Sequence, residues 1–474
     1  MNYNTIISII GSLLRFLGMT MLIPLVVALW YGENYNPFLI SAVITFLVGT
    51  VFGLRAYPIE DLPVKESFAI VALGWFSVAL FGSLPYVFNG ISPLDALFES
   101  MSGFTTTGST IFPDIEAYSL SLLFWRSFTQ WLGGMGIIVL FIAILPKLAV
   151  AGRDLFRAEA PGPISDKLRP RLSQTAKILW SVYVMLSAAE VLLLWISGMR
   201  VYDALCTTFS TMATGGFSPY SESIAFFHSS LIEVIVIFFM FLAGANFALH
   251  YWLMRGEPHR LFNDPEFRLY TYIILCATLL ITIALWNRHG IDSIRLGLFQ
   301  VVSTITTTGF ATADFNTWPS VTRLVLLILM FIGGCAGSTG GGMKVVRILL
   351  LIKYGYRELF RSFHPKAILP IRLGRQMVPQ YVMESILSFL ILYIFIFTVA
   401  SLVLSIVGMD VLSAASAAAT TLGNVGPGFN MVGPSANFGG IHPVGKMVLI
   451  LCMWIGRLEV FTVLVLLIPE FWRK

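Results

Sequence analysis

Ten stretches of this sequence, near 5–30, 37–56, 67–88, 119–146, 175–197, 229–254, 269–287, 320–352, 380–407 and 443–470, are apolar and bounded by charged residues or Gly/Pro clusters. An α-helix needs about 20 apolar residues to cross a bilayer, so a chain with ten such runs keeps little sequence for a water-soluble core. Composition agrees: 12% of the 474 residues are charged and 57% are hydrophobic, against about 25% charged in soluble domains. The expected fold is an all-α polytopic membrane protein whose function lies within the bilayer. The first run carries Arg15 and continues through Pro24 with no basic start or small-residue cleavage site, which reads as a retained helix and not a removed leader.

The few charges give sidedness. With ten crossings and an inside amino terminus, the segments 57–66, 147–177, 255–268, 344–375 and 471–474, together with Arg55, hold 22 of the 30 Lys and Arg. By the positive-inside rule both termini are expected in the cytoplasm. A net charge of +5 spread this way implies lipid contact and no nucleic-acid partner. Cys206, Cys276, Cys335 and Cys452 lie 59 or more residues apart, which excludes CxxC metal or redox motifs. The six histidines lack metal-ligand spacing.

Between the spans lie four shorter apolar stretches, near 93–107, 202–214, 294–308 and 411–425, each followed by glycine. Runs this short read as re-entrant segments, and the charge count places all four on the outer side. They align without a gap as FESMSGFTTTGS from Phe98, CTTFSTMATGGF from Cys206, FQVVSTITTTGF from Phe299 and SAAATTLGNVGP from Ser416. The aligned glycines are Gly108, Gly216, Gly309 and Gly426, and Asp95, Asp203, Asp292 and Asp410 stand before the four stretches. The expected organisation is an N-terminal two-helix hairpin over 1–60 followed by four helix, re-entrant pore loop, helix repeats, over 61–160, 161–264, 265–370 and 371–474, pseudo-symmetric around one central pore.

Non-helical backbone at membrane depth survives only where it is buried in protein or lines a watery cavity, so four such pieces imply one shared cavity. A short helix entering from outside points its carboxyl end, with its partial negative charge, toward the membrane centre. Glycine supplies the unusual dihedrals or close approach, and rings of carbonyls can replace the hydration shell of potassium. Small, threonine-rich segments can instead serve only close helix packing, but four gapless copies on one side favour an ion path.

These loops resemble those of the Trk/Ktr/HKT potassium transporters, whose membrane subunits consist of four such repeats with one filter glycine each; the extra hairpin makes the chain most similar to the bacterial Trk-type uptake subunit. The resemblance implies a potassium-binding filter of Thr106, Thr107 and Gly108, of Thr214, Gly215 and Gly216, of Thr307, Thr308 and Gly309, and of Asn424, Val425 and Gly426. By the same resemblance, in which serine at the first position goes with sodium permeation, glycine at all four positions implies a preference for potassium over sodium. The fourth loop lacks the threonines, so Asn424 could offer a side-chain oxygen, and Ser109 stands where Phe217 and Phe310 follow the second and third glycines.

The run 333–342 holds six glycines in ten residues, Gly333, Gly334, Gly337, Gly340, Gly341 and Gly342, with Ser338 and Thr339 among them. Each glycine inside a helix costs about 1 kcal/mol relative to alanine, so the segment is expected to unwind. A close-packing seam is the alternative. The resemblance identifies it with an intramembrane gate loop below the filter. Arg457, inside the last span, is costly there and should face the interior or water; the resemblance puts it beside that loop as a positive barrier, the alternative being an ion pair with Glu459 or Glu190. Arg15 reads as a snorkelling or interhelix hydrogen-bonding residue.

The acids Asp95, Glu99, Asp114, Glu116, Asp203, Glu222, Asp292, Asp314 and Asp410 are expected around the outer mouth, concentrating cations by field focusing. The inner loop 344–375 carries eight basic residues and one acid, Glu358, a pattern suited to anionic lipid. With 147–177, it is where the cytosolic nucleotide-binding ring protein implied by the resemblance would dock. No GxGxxG or Walker pattern occurs in the chain, so no cofactor is expected here and the nucleotide belongs to that partner. A homodimer is implied by the resemblance alone.

The expected function is passage of potassium down its electrochemical gradient, gated by the glycine-rich loop. The alternative is a sodium- or proton-coupled potassium symporter, which would favour two inverted halves over four parallel repeats. Enzyme chemistry is not expected, because clustered acids and Ser/His pairs are missing.

Overall fold

In the computed structural model, which describes residues 1–54, 64–143, 168–374 and 376–473, these residues are mostly helical. The only strands among these residues form a two-stranded hairpin, Arg372–Leu373 with Gln376–Met377. Arg55, Arg375, most of the basic segment 147–177 and the repeat boundaries near 60 and 160 lie outside the described residues.

Among the described residues, six helices are long and apolar enough to cross a membrane, and eight if two bent pairs each count as one span. Of the other two expected spans, one is the 24-residue helix Leu120–Ala143. The other is interrupted, as Ser320–Ile332 and Val345–Phe363. The protein is thus a multi-pass membrane protein. Side chains such as Phe238, Leu275, Ile283 and Ile391 are exposed on these helices, where lipid takes the place that water holds around a soluble domain.

The amino-terminal span, Tyr3–Tyr31, packs along Asn36–Gly53 through small residues. A Cβ added to Gly11 would come within 2.7 Å of the Gly49 carbonyl oxygen, so the two backbones approach as closely as in small-xxx-small membrane pairs. Arg15 lies in this seam, bonding Ser12 of its own helix at 3.0 Å and lying against Gly53. Glu33, after the first span, accepts the Leu120 and Ser121 amides at 2.7 and 2.9 Å, satisfying two of the donors that a helix start leaves unpaired. The hairpin is thereby fastened to the first repeat.

The four short stretches form the helices Pro93–Phe104, Val201–Met212, Asp292–Ile305 and Val411–Gly423. Their starts are written in capping chemistry: Ser92 accepts from the Asp95 amide, with Pro93 in the first turn, and Asp410 accepts from the Ser413 amide. Asp203 and Asp292 sit in the first turns of the second and third, where a negative charge complements the helix dipole. Their carboxyl ends are buried, as backbone away from water must be if its polar groups are to find partners.

Candidate functional site: a ring of four loops above an unwound segment

All four short helices end in the same way. Thr106, Thr214, Thr307 and Asn424 adopt left-handed backbone, with φ of 51°, 54°, 60° and 53°. The next amide, of Thr107, Gly215, Thr308 or Val425, bonds the carbonyl five residues back, each at 2.8 Å, while the left-handed residue's own amide bonds three back at 2.9, 2.9, 3.1 and 3.3 Å. This is the Schellman closure, here with a side chain where glycine is usual. Left-handed backbone costs a non-glycine residue about 1–2 kcal/mol; three of the four side chains are hydrogen-bonded, and the buried Thr106 hydroxyl has no hydrogen-bond partner among the described residues. The Thr307 hydroxyl accepts the Gly341 amide at 2.7 Å, Thr214 donates to the Ala213 carbonyl at 2.6 Å, and Asn424 donates to Thr107 Oγ1 at 2.9 Å and the Met453 carbonyl at 3.0 Å. Asn424 therefore presents its NH₂ to the first loop, and its oxygen, without a hydrogen-bond partner, lies toward Gly341 and Gly456.

The glycine two residues later closes a ring. Gly108, Gly216, Gly309 and Gly426 all have positive φ, and each abuts the carbonyl that precedes the next loop's glycine. A Cβ on Gly108 would lie 2.1 Å from the Gly215 oxygen, one on Gly216 2.0 Å from Thr308, one on Gly309 2.1 Å from Val425, and one on Gly426 2.9 Å from Thr107. The contacts run from loop one to two to three to four and back to one. Ser109 adds a hydrogen bond from its hydroxyl to the Gly426 carbonyl at 3.0 Å, a role that phenylalanine at this position in loops two and three cannot fill.

Outside the ring, a depression is lined by Gly108, Gly216 and Gly309 together with Ser109, Ser218 and Asn437. No carboxylate among the described residues lines it directly, although Asp114 and Glu116 flank the lining residues Pro113 and Ile115. Seven of the nine acids expected near the mouth make ion pairs or accept backbone amides. Asp95 pairs with Lys446 at 2.5 Å and Asp203 with Arg200 at 2.8 Å, Asp292 with Arg295 at 3.2 Å, and Glu116 accepts the Ser221 amide at 3.0 Å. Asp314 and Asp410 accept from the Asn316 and Ser413 amides. Glu99 is buried against Arg126 at 2.7 Å. Sequence proximity to the mouth did not distinguish an acid facing ions from one capping a helix.

Below the ring, the helix Ser320–Ile332 stops at Gly333, and helix resumes at Val345. The unwound segment is tied on several sides. Cys335 and Thr339 donate backbone amides to Gly244 and Ala243, at 2.9 and 3.4 Å, and the Gly337 carbonyl accepts from the Phe247 amide at 3.1 Å. The Thr339 hydroxyl lies 3.0 Å from the Met212 carbonyl, at the end of the second short helix. Gly341 leaves no room for a Cβ, which would meet the Gly423 oxygen at 2.4 Å. The segment lies directly against the inner side of loops three and four.

Three buried ionisable side chains hold it: Lys344 Nζ donates to the Gly340 carbonyl, and Arg457, singled out from sequence, and Glu266 make the other contacts. Arg457 Nη1 donates to the Thr339 carbonyl at 2.7 Å and Nη2 to the Gly133 carbonyl at 3.3 Å. The alternative ion pair is overturned: Glu459 pairs instead with Arg347 at 2.6 Å, and Glu190 makes no ion pair among the described residues. Glu266, not singled out from sequence, accepts the Ala336 and Val346 amides through the same Oε1 at 2.8 and 2.9 Å, bracing both ends of the break. Its position in the first turn of a span reads simply as dipole compensation, so no local signal marks this second use.

Two further helices that follow loops are also broken at this level. Ser230–Ala243 turns by 103° into Phe247–Met254, and Pro443–Arg457 by 118° into Val460–Leu467. Together with the unwound segment, three of the four helices descending from the loops are interrupted among the described residues.

The family model described as "TrkH: Cation transport protein" matches residues 36–474. Over the full length of both chains, this one is 42% identical to the Trk system potassium uptake protein TrkH of Salmonella typhimurium and to that of Escherichia coli K12. It is 35% identical to the Trk system potassium uptake protein TrkG of Escherichia coli K12, covering 98% of this chain and 97% of that one. The crystal structure of the potassium transporter TrkH from Vibrio parahaemolyticus superposes with a TM-score of 0.92 at 40% identity, covering all of both chains. The chain belongs to the TrkH family of cation transport proteins, which are transporters and not enzymes.

Proposed function

We propose that this chain is the potassium-conducting membrane subunit of a bacterial Trk-type uptake system, with the four loops as its selectivity filter. The observation that carries the reading is the closed cycle of contacts among Gly108, Gly216, Gly309 and Gly426, with four buried helix carboxyl ends converging on it. Partial negative charge at those ends, with loop carbonyls and threonine hydroxyls, would replace the hydration shell of a potassium ion, the substrate. Ions would move down their electrochemical gradient; a membrane potential contributes about 2.3 kcal/mol per charge per 100 mV, with no nucleotide chemistry in this chain.

The unwound segment 333–342 is the gate in this reading. Its contacts with Thr307, Asn424 and Met212 support a position across the path inside the ring, where Arg457 would add a positive charge. The helix Val345–Phe363 continues directly from it and makes up most of the basic inner segment 344–375, which is helical where a loop was expected, so a cytosolic nucleotide-binding ring protein docked on that segment would push on the gate. The charge distribution supports an inner-membrane protein with both termini cytoplasmic, and a homodimer is the assembly proposed.

Potassium uptake by this chain in a strain lacking its own potassium transporters, with and without a cytosolic partner, tests the reading. Growth at low external potassium with both present is the expected result. Failure under that condition overturns it.

A further inference from the structure

Glu99 and Arg126 form a buried ion pair, 0% and 1% exposed, immediately outside the ring. Glu99 Oε1 accepts from Arg126 Nε at 2.7 Å and from the Thr110 hydroxyl at 3.0 Å, and Oε2 accepts the Ile111 amide at 2.9 Å. Arg126 Nη2 reaches Thr110 Oγ1 at 3.1 Å, Nη1 donates to the Ser218 carbonyl at 3.2 Å, and the guanidinium lies 4.2 Å from the centre of the Phe217 ring. The pair thus grips the outward legs of loop one and loop two together. One turn further along the same helix, Gln130 donates Nε2 to the Gly215 carbonyl at 2.7 Å and accepts the Phe217 amide at 3.1 Å. That carbonyl is the one Gly108 abuts.

We propose that Glu99, Arg126 and Gln130 are positioning residues that set ion discrimination by fixing the separation of loops one and two. The inference rests on reading the loops as a potassium filter. The device belongs to one wall: the positions aligned with Glu99 in the other repeats are Thr207, Gln300 and Ala417, none of them ionisable, so the cluster is not a generic packing requirement of the short helix. It also settles the electrostatics of the mouth. Arg126 lines the outer depression, where a bare positive charge would repel incoming cations, and Glu99 cancels it at hydrogen-bonding distance. Removing one partner of a buried pair leaves an uncompensated charge, so the Glu99 variant should lower both discrimination and throughput. The Gln130 variant keeps the pair and should lower discrimination alone.

The test is separate potassium and sodium flux in proteoliposomes containing the purified full-length chain, comparing wild type, Glu99→Gln and Gln130→Leu. The potassium-to-sodium flux ratio is expected to fall about tenfold in Glu99→Gln, about 1.4 kcal/mol of the difference between the ions, and by a smaller factor in Gln130→Leu with potassium flux retained. Wild-type ratios in both variants, with wild-type amounts of folded protein, overturn the proposal. Should Glu99→Gln fail to assemble, Gln130→Leu decides. A wild type that does not discriminate between the ions refutes the filter reading itself; a discriminating wild type with equally discriminating variants refutes this proposal alone.

Discussion

The guanidinium of Arg457 and the carbonyl of Thr339 are joined at 2.7 Å across 118 residues of sequence, and this bond anchors the middle of the unwound segment to the last descending helix. A hydrogen bond to a charged group contributes about 1.5–3 kcal/mol, enough to bias a closed state by tenfold or more. Arg457→Ala is accordingly expected to raise leak flux about tenfold in proteoliposomes without any cytosolic partner. Closed-state flux equal to wild type would remove Arg457 from the gate.

Glu266 offers a cleaner separation of charge from hydrogen bonding. Its Oε1 serves two amides that have no other acceptor at the helix break. Glu266→Gln keeps an acceptor oxygen and should leave leak and thermal stability close to wild type. Glu266→Ala strands both amides, at about 1–3 kcal/mol each, and should lower the melting temperature and raise leak together. Equal behaviour of the two variants would contradict the bracing role.

At the ring, Gly108 combines a φ of 82° with a neighbouring carbonyl where its Cβ would go. Gly108→Ser must push loop two away or displace the Gly215 carbonyl. The expected outcome is sodium permeation, seen as a fall in the potassium-to-sodium permeability ratio with the protein still assembled. An unchanged ratio would mean that this contact does not define the constriction.

Asp410, at the start of the fourth short helix and outside the spans, gives a pH prediction. The Ser413 hydroxyl, followed by the Ser413 amide and Asn430, holds its carboxyl below the usual carboxylate range. A depressed folded-state pKa contributes stability above the unfolded value of about 3.9 and loses it as pH falls through the folded value. The melting-temperature gap between wild type and Asp410→Ala should therefore be constant from about pH 5 to 8 and shrink below about pH 4. A gap that is constant down to pH 3 would show that the carboxylate's charge contributes nothing to the cap.

Much of this architecture is legible in the residues because membrane-embedded backbone has few options. The short helices begin and end within a few residues of the apolar runs that announce them, since Ser92 with Pro93, and Asp410, are start signals, and the TTTG-like endings are closures. The break at 333–342 follows from glycine content alone, although it extends to Lys344, which has a φ of 73°. What the sequence conceals is pairing. Glu99 and Arg126 are 27 residues apart on different helices, and periodicity reports only that each is a charge in an apolar neighbourhood. The acids show the same limit: a carboxylate near a pore and a carboxylate capping a pore helix have the same one-dimensional address. Arg347 and Glu459, 112 residues apart, meet only because two helices break at one level.

The cycle of four glycines has a genetic consequence. Because one polypeptide supplies every wall, each wall is encoded by its own codon, and a single base change alters one quarter of the constriction. A channel assembled from four identical chains has no such intermediate, since every substitution strikes all four walls at once. On the proposed filter reading, ion preference can drift one wall at a time, and the threonine-free fourth loop, with Asn424 bonded to Thr107, is a wall that differs from the others while the circle stays closed.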